Sequence, residues 1–119
     1  MSYKITRKEE AYKYEIGGHY DVRTTRLHNP TDVNDGVVTM GLSHFLPGGY
    51  TDYGANAMES IYYIIEGQMY VECEVGTPNE VKTTLYVGDT FHCGPNTNKS
   101  VLNNGTVSCQ MLVVLVKPE

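Results

Sequence analysis

Residues Pro47 to Gly67 read PGGYTDYGANAMESIYYIIEG, and the order of turn and strand signals in them decides the fold. A Pro-Gly-Gly turn opens the stretch, a Glu-Gly turn closes it, and a β-rich apolar run from Ile61 to Glu66 precedes the close. Glycine supplies backbone angles that other residues avoid, and proline cannot donate to a strand ladder, so both ends read as turns. Side chains two apart on a strand share a face. Ser60, Tyr62 and Ile64 therefore form one face, and Ile61, Tyr63 and Ile65 the other. Both faces carry large apolar groups. A second stretch, Gly88 to Gly105, reads GDTFHCGPNTNKSVLNNG and has the same build. Its turns are Gly88-Asp89, Gly94-Pro95-Asn96 and Asn104-Gly105.

Outward from these two stretches, the chain continues as short β-rich runs. They cover Asp21 to Leu27, Val37 to Leu46, Met69 to Glu74, Val81 to Tyr86, Lys99 to Asn103 and Val107 to Val116. Asn29-Pro30, Asn34-Asp35-Gly36 and Gly76-Thr77-Pro78-Asn79 separate them as turns. Many short strands at regular spacing predict an all-β antiparallel sandwich or barrel. The closing run Cys109 to Val116 (CQMLVVLV) is apolar on both faces, as for a strand covered twice. At the other end, Thr6 followed three residues later by Glu9 is a capping-box pattern, which predicts a short N-terminal helix from Arg7 to Tyr14. No internal repeat, low-complexity tract or linker divides residues 1–119, so a single domain is expected.

Composition narrows the function. The 119 residues carry a net charge of −5, with no basic run and no aromatic-basic interleaving, which argues against a nucleic-acid partner. No apolar stretch approaches the roughly 20 residues that a membrane-spanning helix needs. The polar start MSYKITRKEEAYKYEI is unlike a secretory signal. Cys73, Cys93 and Cys109 have no C-x-x-C spacing and read as small buried hydrophobes in a reducing cytoplasm.

The frame of Pro47–Gly67 and Gly88–Gly105 resembles the two sequence signatures of the cupin family, small β-barrels that usually hold a metal with three His and one Glu. The resemblance implies a double-stranded β-helix, or jelly-roll barrel, with Ser60, Tyr62 and Ile64 turned inward. Counting back from Gly67 puts the family's metal Glu at Ser60 and its first two His at Tyr53 and Ala55. In the second signature Pro95 leads to Ser100 where the third His belongs. The frame is kept while the four ligand positions hold Tyr, Ala, Ser and Ser, which implies no metal and no other cofactor. A slip of one residue would make Glu59 the acidic ligand. With His44 and His92 it would form an improvised three-ligand metal site, a third option. His19 and His28 read as surface or rim histidines.

Ten tyrosines and no tryptophan are the other signal. A tyrosine in a pocket offers a ring for stacking and a phenol that orients a carbonyl or hydroxyl. The expectation is a metal-independent enzyme doing acid–base chemistry on a carbonyl- or hydroxyl-bearing substrate, aromatic or sugar-like, as an isomerase, dehydratase or cyclase. Tyr62, His92 and Glu59 are the expected catalytic residues. Tyr53, Ala55, Ser60, Ile64, His44 and Ser100 are expected to bind substrate. A non-catalytic small-molecule-binding module is the alternative. A titratable group beside the ligand separates the two. Because the second face of Ile61, Tyr63 and Ile65 is apolar, a homodimer is expected.

Overall fold

The computed structural model describes residues 1–118 as nine strands and two short 3-10 turns. The strands are β1 (Tyr12–Tyr14), β2 (His19–His28), β3 (Val38–Thr51), β4 (Glu59–Glu66), β5 (Gln68–Cys73), β6 (Val81–Tyr86), β7 (Thr90–Cys93), β8 (Lys99–Leu102) and β9 (Cys109–Val116). All pairings are antiparallel, and they run in the order β6-β5-β8-β3-β9-β4-β7, with β2 on β3 and β1 on β2. The result is a nearly closed jelly-roll barrel.

β3 is the strand that closes it. From Val38 to Phe45 it pairs with β9, and at Tyr50 it has crossed to β8 in the opposite layer. The crossing needs a bend, supplied by Pro47, Gly48 and Gly49. Gly48 takes φ +84°, and a Cβ on Gly49 would lie 2.6 Å from the Asp21 carbonyl oxygen. Only glycine fits that approach. The turn between β4 and β5 is as tight. Gly67 sits at φ +79°, where a Cβ would come within 2.6 Å of the Ser108 carbonyl.

Alternation sets the interior. Phe45, Ile64, Met69, Val71, Val101, Cys109 and Met111 pack as the core, each no more than 6% exposed. Burial of one large apolar side chain stabilises by about 1.5–3 kcal/mol, so this cluster is the main source of stability. Asn103, also buried, is a polar clasp within it. Its Nδ2 donates to the carbonyls of Phe45 (3.0 Å) and Val107 (2.9 Å), and its Oδ1 accepts from Gly105 N–H (3.0 Å). All three cysteines are free and buried.

One element differs from expectation. The helix predicted over Arg7–Tyr14 is a single 3-10 turn at Lys8–Glu10, followed directly by β1. No side chain caps the turn, and Tyr12, Lys13 and Tyr14 pair with Arg26, Thr25 and Thr24 of β2. Sheet pairing satisfies this backbone better than a short isolated helix, which is marginal in water. No helix among the described residues is long and apolar enough to cross a membrane.

Candidate functional site

The barrel holds a cavity of about 390 Å³ that borders directly on the core. Its floor and walls are Phe45, Val101, Met111, Val113 and Leu115, from β3, β8 and β9. Its polar side chains come from scattered parts of the chain. β1 supplies Tyr14, the first residue of β2 is His19, and β3 supplies Thr39, Ser43 and Thr51. Tyr62 enters from β4 and Lys99 from β8, while Asp52, Tyr53, Ala55 and Asn56 follow the end of β3. The site is an apolar vessel with a few polar groups converging on it, the usual build of a small-molecule pocket.

Several of these groups are held in place. Gly54 N donates to Lys99 O (3.0 Å) and Lys99 N to Gly54 O (2.9 Å), which clamps the backbone of Lys99 against the Asp52–Asn56 segment. The Lys99 ammonium lies 5.8 Å from the centroid of the Tyr62 ring, and it forms no ion pair with a described carboxylate. Tyr62 also tilts against Phe91 with ring centroids 6.0 Å apart. The Tyr53 hydroxyl accepts from Val75 N–H at 3.0 Å.

At the rim, Tyr20 donates its hydroxyl to Asp52 Oδ2 (3.1 Å) and stacks on Tyr50 at 4.7 Å. The hydrogen bond to the Asp52 carboxylate raises the Tyr20 pKa, because ionising the phenol would face a like charge. His19 Nδ1 lies 3.3 Å from the Gly17 carbonyl. As a donor there, Nδ1 leaves the lone pair of Nε2 available as a base. Arg26 covers the Tyr14 ring, with Cζ 4.4 Å from its centroid.

The residues expected from sequence divide sharply. Tyr53, Ala55 and Tyr62 line the cavity together. Ser60 and Ile64 share the inner face of β4 with Tyr62 but are sealed into the barrel interior. Ser60 Oγ has no hydrogen-bond partner. His92, Glu59, His44 and Ser100 do not line the cavity. His92 is the cross-strand partner of Ile61 on the outer face of β4 and β7, and its Nε2 lies 2.6 Å from Glu59 Oε2 there. His44 alternates with the inward Ser43 and Phe45, so it too faces out. Ser100 is displaced by a single residue. Lys99, paired with Cys73, and Val101, paired with Val71, share the inner face and leave Ser100 outside. Lys99, His19, Asp52 and Tyr14 are the cavity groups that sequence reasoning missed.

The chain matches no protein-family model. It is 26% identical to the Mycobacterium tuberculosis protein named beta-D-galactosidase Rv1717, over 115 residues that make up 97% of this chain and 95% of the relative. Among solved structures, an RmlC-like cupin from Shewanella frigidimarina superposes with a TM-score of 0.75 at 17% identity, covering 99% of this chain and 94% of that one. The fold is that of the cupins. The polyketide cyclase RemF from Streptomyces resistomycificus has the same barrel, with a TM-score of 0.77 at 16% identity over 98% of this chain and 80% of that chain.

A metal would sit in a cupin barrel among imidazole and carboxylate groups, and the donors here do not suit one. Transition metals need several imidazole, thiolate or carboxylate groups converging at about 2.0–2.3 Å. The cupin positions present the phenol of Tyr53, the methyl of Ala55 and the hydroxyl of Ser60, and the nearby inward cation Lys99 repels a metal ion. Among the described residues no three His, Cys, Asp or Glu side chains come together as a ligand set. The alternative trio does not assemble either, since Glu59 and His92 pair while His44 stands on a different strand of the outer face.

Proposed function

We propose that this cupin barrel is a metal-independent enzyme that moves protons on a carbonyl- or hydroxyl-bearing small molecule, as an isomerase, dehydratase or cyclase. The observation that carries the reading is the company of titratable groups at one apolar cavity: His19, Asp52, Tyr62, Tyr53 and Tyr14. A phenol from Tyr62 or Tyr53 polarises the substrate oxygen, and the Nε2 of His19 or the carboxylate of Asp52 takes the proton. His92 and Glu59 face outward, so the proton-moving role expected of them passes to His19 and Asp52. A pocket for binding alone has no need of two potential bases at its mouth, which favours catalysis over passive binding.

The galactosidase name of the relative makes a sugar the first substrate class to try. Glycoside hydrolysis usually uses two carboxylates about 5–9.5 Å apart. Asp52 is the one carboxylate lining this cavity among the described residues, so a hydrolase here would draw its second proton donor from His19 or a tyrosine. The test is turnover of nitrophenyl β-galactoside and of a panel of ketoses, aldoses and small cyclic ketones. Tyr62→Phe, His19→Gln and Asp52→Asn are then assayed on whichever substrate turns over. At least one of the three is expected to lower kcat/KM by roughly a hundredfold or more, the usual contribution of general acid–base catalysis. Full activity in all three variants sinks the assignment.

The outer face of β3, β9 and β4 supports a homodimer as the working form. Met40, Leu42, Leu112, Val114, Ile61 and Tyr63 are cross-strand neighbours on it, and Ile61 and Tyr63 are each 43% exposed. Three free thiols fit a reducing cytoplasm, where disulfides do not persist.

A further inference from the structure

We propose that the ligand of this cavity carries a carboxylate, or an equivalent single negative charge, and that Lys99 is its counter-ion. The inference rests on the reading of the cavity as a small-molecule site and adds the charge of the molecule it takes. Lys99 is the one Lys or Arg on the lining, and it forms no ion pair with a described carboxylate. The single lining carboxylate, Asp52, already accepts the hydroxyl of Tyr20. The Lys99 ammonium lies over the Tyr62 ring on a largely apolar cavity wall with no described carboxylate paired to it, and an anionic ligand group would supply that partner.

The backbone clamp between Lys99 and Gly54 holds the root of the side chain, so less ordering entropy is lost when the ion pair forms. A phosphate dianion is less suited, since phosphate sites gather several cations or backbone N–H groups and this one has a single ammonium. The apolar floor takes the body of the molecule, and the volume of about 390 Å³ lies at the small end of the usual range for small-molecule pockets. The ligand class is therefore a small organic acid, bound with its charge toward β8 and its body toward β9.

The test is an NMR titration of isotope-labelled protein with two matched pairs, benzoate with benzamide and galacturonate with galactose. The acid of at least one pair is expected to shift the Met111 and Val113 methyl signals and to bind more tightly than its neutral partner. That advantage should shrink as salt rises. Lys99→Gln should weaken the acid by roughly ten- to a hundredfold, the worth of a charge-assisted hydrogen bond, and leave the neutral partner unchanged. Lys99→Arg should restore it. Neutral partners binding as tightly as the acids in the wild-type protein overturn the charge assignment and leave the small-molecule reading intact. Wild-type affinity for the acid in Lys99→Gln does the same. No shift at Met111 or Val113 with any of the four overturns both.

Discussion

Lys99 and Ser100 show how much one residue decides. Both lie on β8, and the period of two sends the lysine into the cavity and the serine to the outside. Counting along the motif put the interesting position at Ser100, and the pairing of β8 with β5 moves it by one. Tyr62 needed no such correction, because it alternates with the buried Ser60 and Ile64 on the inner face of β4. The cysteines carry a separate consequence. Burial pushes the thiols of Cys93 and Cys109 up from an ordinary 9.0 to about 11. Well below pH 9 both are protonated in the folded and unfolded chains, so they add no pH dependence there. Between about 9 and about 11 the unfolded chain ionises first, so stability falls as pH rises through this window. Urea midpoints measured from neutral to alkaline pH should be flat and then decline. Iodoacetamide should modify these two thiols only as fast as the protein opens. Rapid labelling of both at neutral pH would contradict their burial.

At the scale of elements, most strands were legible because glycine, proline and asparagine mark their ends. Residues predicted as Ile61–Glu66 and Val81–Tyr86 fall on β4 and β6 almost without change. The N-terminal segment was misread because its capping pattern is local, whereas the partner that makes β1 a strand, Thr24–Arg26, is distant in sequence. The same distance hid Tyr14 and His19. They reach the cavity only because β1 and β2 fold across its mouth, and nothing within the segment signals that position. The outer face of β4, by contrast, was plain in the alternation of Ile61, Tyr63 and Ile65, which are each 43% exposed. A lysine placed in such a patch would have to lose its hydration on association. In the proposed homodimer, Ile61→Lys should therefore give monomers by sedimentation velocity while the far-UV spectrum keeps its β form. A wild-type protein that sediments as a monomer at high concentration would remove the dimer.

The molecule as a whole keeps a frame and exchanges its contents. The glycine bends at Gly49 and Gly67, the clasp of Asn103 and the barrel core are all built for closure, and none of them depends on what lines the cavity. The lining presents phenols, one ammonium, a carboxylate and an imidazole where the motif spacing leads one to look for metal ligands, which is why the fold was readable from that spacing and the chemistry only in part. A fold hosts many activities, so the site and not the barrel decides the function. The most direct measurement is elemental mass spectrometry on protein purified without added metal or chelator, then repeated after dialysis against zinc, manganese and nickel. The expected result is far less than one equivalent of any transition metal under both conditions, with no rise in melting temperature. Close to one equivalent retained after dialysis would contradict a cavity built for metal-independent chemistry.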